Sequence, residues 1–163
     1  MNADPAADYA ASVADAYWGE VYGIAMYARI AVARPDPEER AKWGTMTELE
    51  VAMEARLRPV FERLGGDPRA HAAPWKAKGG EDGDRYGGYT WRDLMARFSR
   101  ELDDDIVRYR AIEQGCPPAD AVVLGWLTEH EVVAKYFADD EVSGHGDRSL
   151  DPVRRLIARL RAD

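Results

Sequence analysis

Apolar side chains recur three and four residues apart in four long stretches of this chain, and each stretch carries an acid or an imidazole near the centre of its apolar face. The first runs from about Ala7 to Ala33, with Val13, Ala16, Tyr17, Gly23, Ile24, Tyr27 and Ala31 on one side and Glu20 in their midst. Arg34-Pro35-Asp36-Pro37 ends it, because proline lacks an N–H and disfavours helix in the residue before it. The second runs from about Glu38 to Leu64. Asp36 is placed to cap it, and Pro37 suits its first position. Trp43, Met46, Thr47, Met53, Leu57, Phe61 and Leu64 form its stripe, with Glu50 at the centre and Glu54 toward the edge. Gly65-Gly66 closes it.

The third stretch begins at Thr90, a suitable N-cap, and reaches about Glu113. Trp91, Leu94, Met95, Phe98, Leu102, Tyr109 and Ile112 share its face with Glu101 near the border and Asp105 one turn further on. The fourth runs from Asp120 to Glu141. Its face is Val123, Trp126, Leu127, Ala134 and Phe137 around His130, with Glu131 on the flank. A short last helix, about 151–161, is expected to start at Asp151 as cap and Pro152, with Val153, Leu156, Ile157 and Leu160 on its apolar side. Between the second and third helices, residues 65–89 are rich in Gly, Pro and charge and show no usable period. They read as a crossover linker, or as a lid that would use Trp75, Tyr86 or Tyr89 as contacts.

Loop lengths set the expected topology. Short links join helices one and two, and three and four, so each pair should be an antiparallel hairpin, with the long segment carrying the chain back between them. The expected fold is an all-α, antiparallel four-helix bundle in a single domain over residues 1–163, its core at about 7–141.

Composition narrows the function classes. A net charge of −8 argues against nucleic acid or an anionic membrane as partner, and no apolar run approaches the ~20 residues of a membrane span. The stretch MNADPAADYA has neither the basic nor the apolar region of a secretory signal. The single cysteine, Cys116, makes no internal disulfide, so a cytoplasmic location is expected.

In a bundle of similar antiparallel helices the midpoints share a level, so Glu20, Glu50, Glu101 (or Asp105) and His130 should converge on one layer. Buried carboxylates must be protonated, paired or bound to a metal. At these residues the chain resembles the ferritin-like superfamily, over roughly Ala7 to Glu141. That resemblance implies a ferritin-like bundle in which two helices each give a Glu and two each give Glu-x-x-His to a pair of irons or manganeses. Here Glu20 and Glu101 or Asp105 match the lone acids. The paired motifs are incomplete: Met53 stands where Glu50 would need its His, and Leu127 where His130 would need its Glu.

Three readings follow. One is an Fe- or Mn-dependent oxidase or oxygenase with Glu20, Glu50, Glu101, Asp105 and His130 as the candidate ligands. A second is a metal-free pocket that binds or transforms a small, largely apolar molecule. There Glu20, Glu50 and His130 would be the catalytic acid–base groups, with a nearby carboxylate raising the pKa of His130, and Tyr17, Tyr27, Trp43, Met53, Phe98, Trp126 and Phe137 would form the wall. A third is a structural polar layer in a protein that works by association, for example as a homo-oligomer.

Overall fold

The computed structural model describes residues 5–162. Residues 1–4, part of the stretch read as lacking a signal, and Asp163 lie outside the described residues. The described residues form six α-helices: α1 (Pro5–Ala33), α2 (Pro37–Arg63), α3 (Ala72–Gly87), α4 (Trp91–Gly115), α5 (Ala121–Val142) and α6 (Asp151–Arg161). A 3-10 turn at Pro118–Asp120 precedes α5. There is no strand among the described residues, and no described helix is long and apolar enough to cross a membrane.

Local chemistry sets most of the boundaries. Asp36 caps α2 by accepting the Glu38 N–H at 2.7 Å, with Pro37 as the first helical residue. α2 closes with Gly65 at φ +92°. The Gly66 N–H then reaches the Phe61 carbonyl and the Gly65 N–H the Glu62 carbonyl, both at 3.0 Å, which satisfies two carbonyls the helix end would leave free. Thr90 caps α4 through the Asp93 N–H at 3.2 Å. At the last helix the expected cap differs by one position: Leu150 is the cap, and Asp151 is the first helical residue.

α1, α2, α5 and α4 form a ring in which each helix packs on the next. Neighbours run in opposite directions. Tyr17 of α1 stacks on Phe61 of α2, whereas Tyr27 meets Trp43. Tyr109 of α4 lies over His130 of α5, whereas Ser99 donates to Asp139. Lys42 bonds Glu141 at one end of the α2–α5 seam, and Arg63 pairs with Asp120 at the other. The core fills this ring, and the apolar face of α6 (Val153, Leu156, Ile157, Leu160) covers the outside of α2 and α5.

Residues 65–89 are not a loop. α3 occupies most of them and runs parallel to α1: Tyr22 donates to Asp82 at 2.7 Å, and Arg29 pairs with Asp84 further along both helices. At 16 residues it carries the chain about 24 Å back along the molecule. Its glycines mislead a reading by propensity. Gly79, Gly83 and Gly87 are spaced by four and face α1 at very close range. A Cβ on Gly83 would lie 2.6 Å from Arg29 Cβ and 2.7 Å from the Met26 carbonyl oxygen. Glycine here permits backbone approach, which compensates for its poor intrinsic helix propensity. α3 covers a second side of α1, and Trp18, Val21 and Met26 are buried as well as Val13, Ala16, Tyr17, Gly23 and Tyr27 of the expected stripe, whereas Ile24 and Ala31 are half-buried.

Candidate metal centre

Glu20 of α1, Glu50 of α2 and His130 of α5 meet at mid-height in the ring. Each offers a ligand atom within 4.8 Å of the others, and all three are buried. His130 Nε2 lies 3.4 Å from Glu20 Oε1 and 3.6 Å from Glu50 Oε1. Its Nδ1–H donates to the Leu127 carbonyl at 2.5 Å. A carbonyl can only accept, so this bond fixes the tautomer and leaves the Nε2 lone pair facing the carboxyl groups.

Glu131 joins them. It is buried, and its Oε1 is 3.6 Å from His130 Nε2. The face of α5 is therefore turned toward Leu124, Leu127, Glu131, Ala134 and Ala138, while Val123 and Trp126 lie at its half-exposed edge. The same three-and-four spacing, counted from Leu124 instead of Val123, finds Glu131. Glu54 is also buried rather than marginal. It accepts the Tyr17 hydroxyl at 2.5 Å and pairs with Arg58 at 2.7 Å.

The two α4 acids stand further out. Glu101 accepts from Tyr86 and Arg97, and Asp105 pairs with Arg108 at 2.9 Å, each side chain about two-fifths exposed (40% and 39%). At the level of the buried group α4 presents Tyr109, whose ring lies 6.1 Å from that of His130 at 26°. Arg108 sits 4.6 Å from the centroid of Tyr109 and donates to its hydroxyl at 3.1 Å.

A cavity of about 460 Å³ opens beside this group between α1, α3 and α4. Glu20, Glu50 and Glu131 line it, together with Met26, Tyr27, Phe98 and Leu102, and Trp75, Lys78 and Tyr86 of α3 form an outer wall. Of the aromatic and apolar wall expected from sequence, Tyr27 and Phe98 border this cavity. Tyr17 is stacked on Phe61, and Trp43, Met53 and Phe137 are buried within the core. Trp126 is half-buried, with the Arg56 guanidinium 5.5 Å from its ring centroid.

Burial governs the protonation of the cluster. It pushes the Glu20 carboxyl well above the ordinary range, with Glu50, Glu131 and Glu54 adding to the shift. Glu50 is raised to about 8 by burial and by Asp105, while a hydrogen bond to Glu20 acts the other way. Glu131 is raised by burial, then by Asp105 and Glu50, with Arg108 opposing. His130 is lowered to about 4 by burial, against its bond to Leu127. The expectation that a carboxylate would raise the imidazole is thus reversed. The same burial favours the uncharged form of the neighbouring carboxyl groups, and the bond to Leu127 offsets the desolvation of the ring only in part. Without a cation, burial favours the uncharged forms of all four groups.

The donor set suits one divalent ion. Metal–ligand bonds of about 2.0–2.2 Å place donors roughly 3.0–3.7 Å apart at angles near 90–120°. The separations of 3.4 and 3.6 Å about His130 Nε2 fall in that range and exceed a good N–H···O bond. Glu20 Oε2 is buried with no hydrogen-bond partner among the described residues, an orphan that a cation would satisfy. Carboxylates with one imidazole favour Fe(II) or Mn(II) over softer ions. Neither Met53 nor Leu127 adds a ligand of that kind. No protein-family model, no curated protein and no solved structure matches this chain, so the reading of the centre rests on its own residues.

Proposed function

We propose that α1, α2, α4 and α5 form a ferritin-like bundle that binds one Fe or Mn ion through Glu20, Glu50 and His130, and that the protein is an oxidoreductase for a small molecule held in the adjoining cavity. The observation that carries this reading is the convergence of three buried ligand atoms from three helices within 4.8 Å, one carboxylate keeping an unpartnered oxygen.

When bound, such an ion supplies redox chemistry with dioxygen at its open positions. The chain's residues do the rest. Glu20 and Glu50 would hold the cation as carboxylates, since a carboxyl must be deprotonated to ligate. Leu127, through its carbonyl, holds the imidazole in the ligating tautomer. Glu131, beside His130 and on the cavity wall, is placed to hold a proton and pass it to a molecule in the cavity. Met26, Tyr27, Phe98 and Leu102 give the cavity an apolar contact surface for a ligand. Anaerobic titration with Fe(II) or Mn(II) tests the reading. One ion per chain, lost in Glu50→Gln, supports it, and absence of uptake removes it.

A second reading has one specific observation in its favour. Glu50, raised to about 8, would act without metal as a carboxylic acid that titrates near neutrality beside a ligand. A metal-free protein that turns over a substrate with a rate dependent on Glu50 would establish it.

A further inference from the structure

The acids that line the cavity differ in what compensates them. Glu101 is held by Arg97 at 2.7 Å and by the Tyr86 hydroxyl, and Asp105 by Arg108 at 2.9 Å. Asp15 is exposed, where solvent and salt screen its charge. Glu20 and Glu50 balance the proposed divalent ion between them. Glu131 is the acid left without a partner in contact. Its side chain is nine-tenths buried (10% exposed), it lines the cavity, and no described residue donates a hydrogen bond to it. On its protein side lies His130 Nε2 at 3.6 Å, which carries a lone pair in the tautomer that the Leu127 carbonyl fixes, and so does not donate. A buried carboxyl group with neither donor nor cation is costly, and a ligand that brings both removes that cost.

We infer that the cavity takes a small primary amine in its ammonium form, with Glu131 accepting from the ammonium group and Met26, Tyr27, Phe98 and Leu102 around the carbon chain. This rests on the reading of the cavity as a substrate site and names the class of molecule it admits. The charge of the lining favours a cation. Six carboxyl groups border the cavity against two basic side chains, Lys78 and Arg108. Arg108 is paired with Asp105 and lies over the Tyr109 ring, and it makes no hydrogen bond to Glu131. Lys78 is exposed on the outer wall, where solvent screens its repulsion. Its position also shows that this wall accepts an alkylammonium: Nζ lies 5.6 Å from the ring centroid of Tyr22 and 5.5 Å from that of Trp75. At about 460 Å³ the cavity lies toward the small end of the roughly 300–1,000 Å³ typical of ligand pockets. Since Glu131 adjoins His130, the nitrogen end of the molecule is the one directed at the metal ligands, and the carbon chain points toward α3.

The test uses the whole chain stripped of metal, so that an amine has no ion to ligate. Thermal shift and calorimetry at neutral pH, where an alkylamine is charged, compare hexylamine with hexan-1-ol, hexanoate and hexyltrimethylammonium, which keeps the charge and loses the donors. Hexylamine is expected to stabilise the protein most. Its affinity should fall by about tenfold to a hundredfold in Glu131→Gln, the range for losing hydrogen bonds to a charged group. Glu131→Asp, which keeps the acid and draws it back from the cavity, should fall between the two. The loss in Glu50→Gln should be smaller than in Glu131→Gln, because Glu50 belongs to the metal centre. No hexylamine binding, equal stabilisation by any of the other three compounds, unchanged affinity in Glu131→Gln, or an equal loss in Glu50→Gln each overturns the inference. Mn(II) uptake measured on the same preparation is a separate readout. Uptake without hexylamine binding removes the amine and leaves the metal centre, and binding without uptake does the reverse.

Discussion

The carboxyl group of Glu50 occupies space that only glycine at position 23 leaves open. A Cβ on Gly23 would fall far inside van der Waals contact with Glu50 Oε2 and 3.1 Å from its Cδ. Gly23 is buried in the middle of α1, where glycine costs about 1 kcal/mol of helix propensity relative to alanine. That cost is offset by the room made for a carboxyl group between two helices.

Gly23→Ala therefore gains helix propensity and loses the position of Glu50. Circular dichroism should show unchanged helix content. Metal affinity should drop about tenfold or more, with overpacking costing roughly 1–3 kcal/mol in thermal or urea unfolding. A variant that is stabilised and still binds metal normally would show that the Glu50 carboxyl is free to lie elsewhere.

The α1–α3 seam makes a separate prediction. Gly83→Val would drive side-chain carbon into the Met26 carbonyl, and backbone cannot yield as a flexible side chain does. Since α3 packs chiefly on α1, its docking should fail while the ring of α1, α2, α4 and α5 persists. Limited proteolysis would then cut within residues 65–89, and hydrogen exchange would speed up there alone. Global unfolding would instead place α3 in the cooperative core.

Stability should depend on pH in a direction that metal reverses. Glu20, Glu50 and Glu131 have folded pKa values above their ordinary 4.5, Glu50 at about 8, so the folded protein holds more protons than the unfolded chain above pH 4.5. Their contribution is fully present below pH 4.5 and is lost as pH rises through the folded values. His130 acts oppositely between its folded value of about 4 and its ordinary 6.5, and has no further effect above that. From pH 6.5 to 8 the carboxyl groups stand alone, and the metal-free protein should lose stability by up to about 1.4 kcal/mol per pH unit for each proton released. With Mn(II) bound, protons are already displaced, and melting temperature should hold or rise over the same range. A metal-free protein with a flat profile from pH 6.5 to 8 would contradict the buried, protonated cluster.

Much of this was legible in the chain because helix periodicity and the cost of burying acids are local arguments. Glu20, Glu50 and His130 could be placed on apolar faces from spacing alone, and loop lengths brought their helices together. Two features were not legible for different reasons. Glu131 adjoins His130, and deciding which of two neighbours faces inward requires the phase of α5 to within a fraction of a turn, which Val123 and Trp126 at the edge of the face obscured. α3 was hidden by Gly79, Gly83 and Gly87, which as isolated residues weaken a helix and as a stripe against α1 allow it to dock. That benefit belongs to the tertiary contact and has no signature in propensity. The outward position of Glu101 depends likewise on a partner, Tyr86, that α3 supplies.

The metal site we propose is built from Glu20, Glu50 and His130 together. The most direct measurement is anaerobic calorimetric titration of the metal-free protein with Mn(II) and Fe(II), beside Glu50→Gln and His130→Ala of confirmed helicity. One ion per chain in the parent protein, with affinity reduced by at least about a hundredfold in both variants, is the result this site requires. No uptake by the parent protein, or uptake that neither substitution alters, would contradict it.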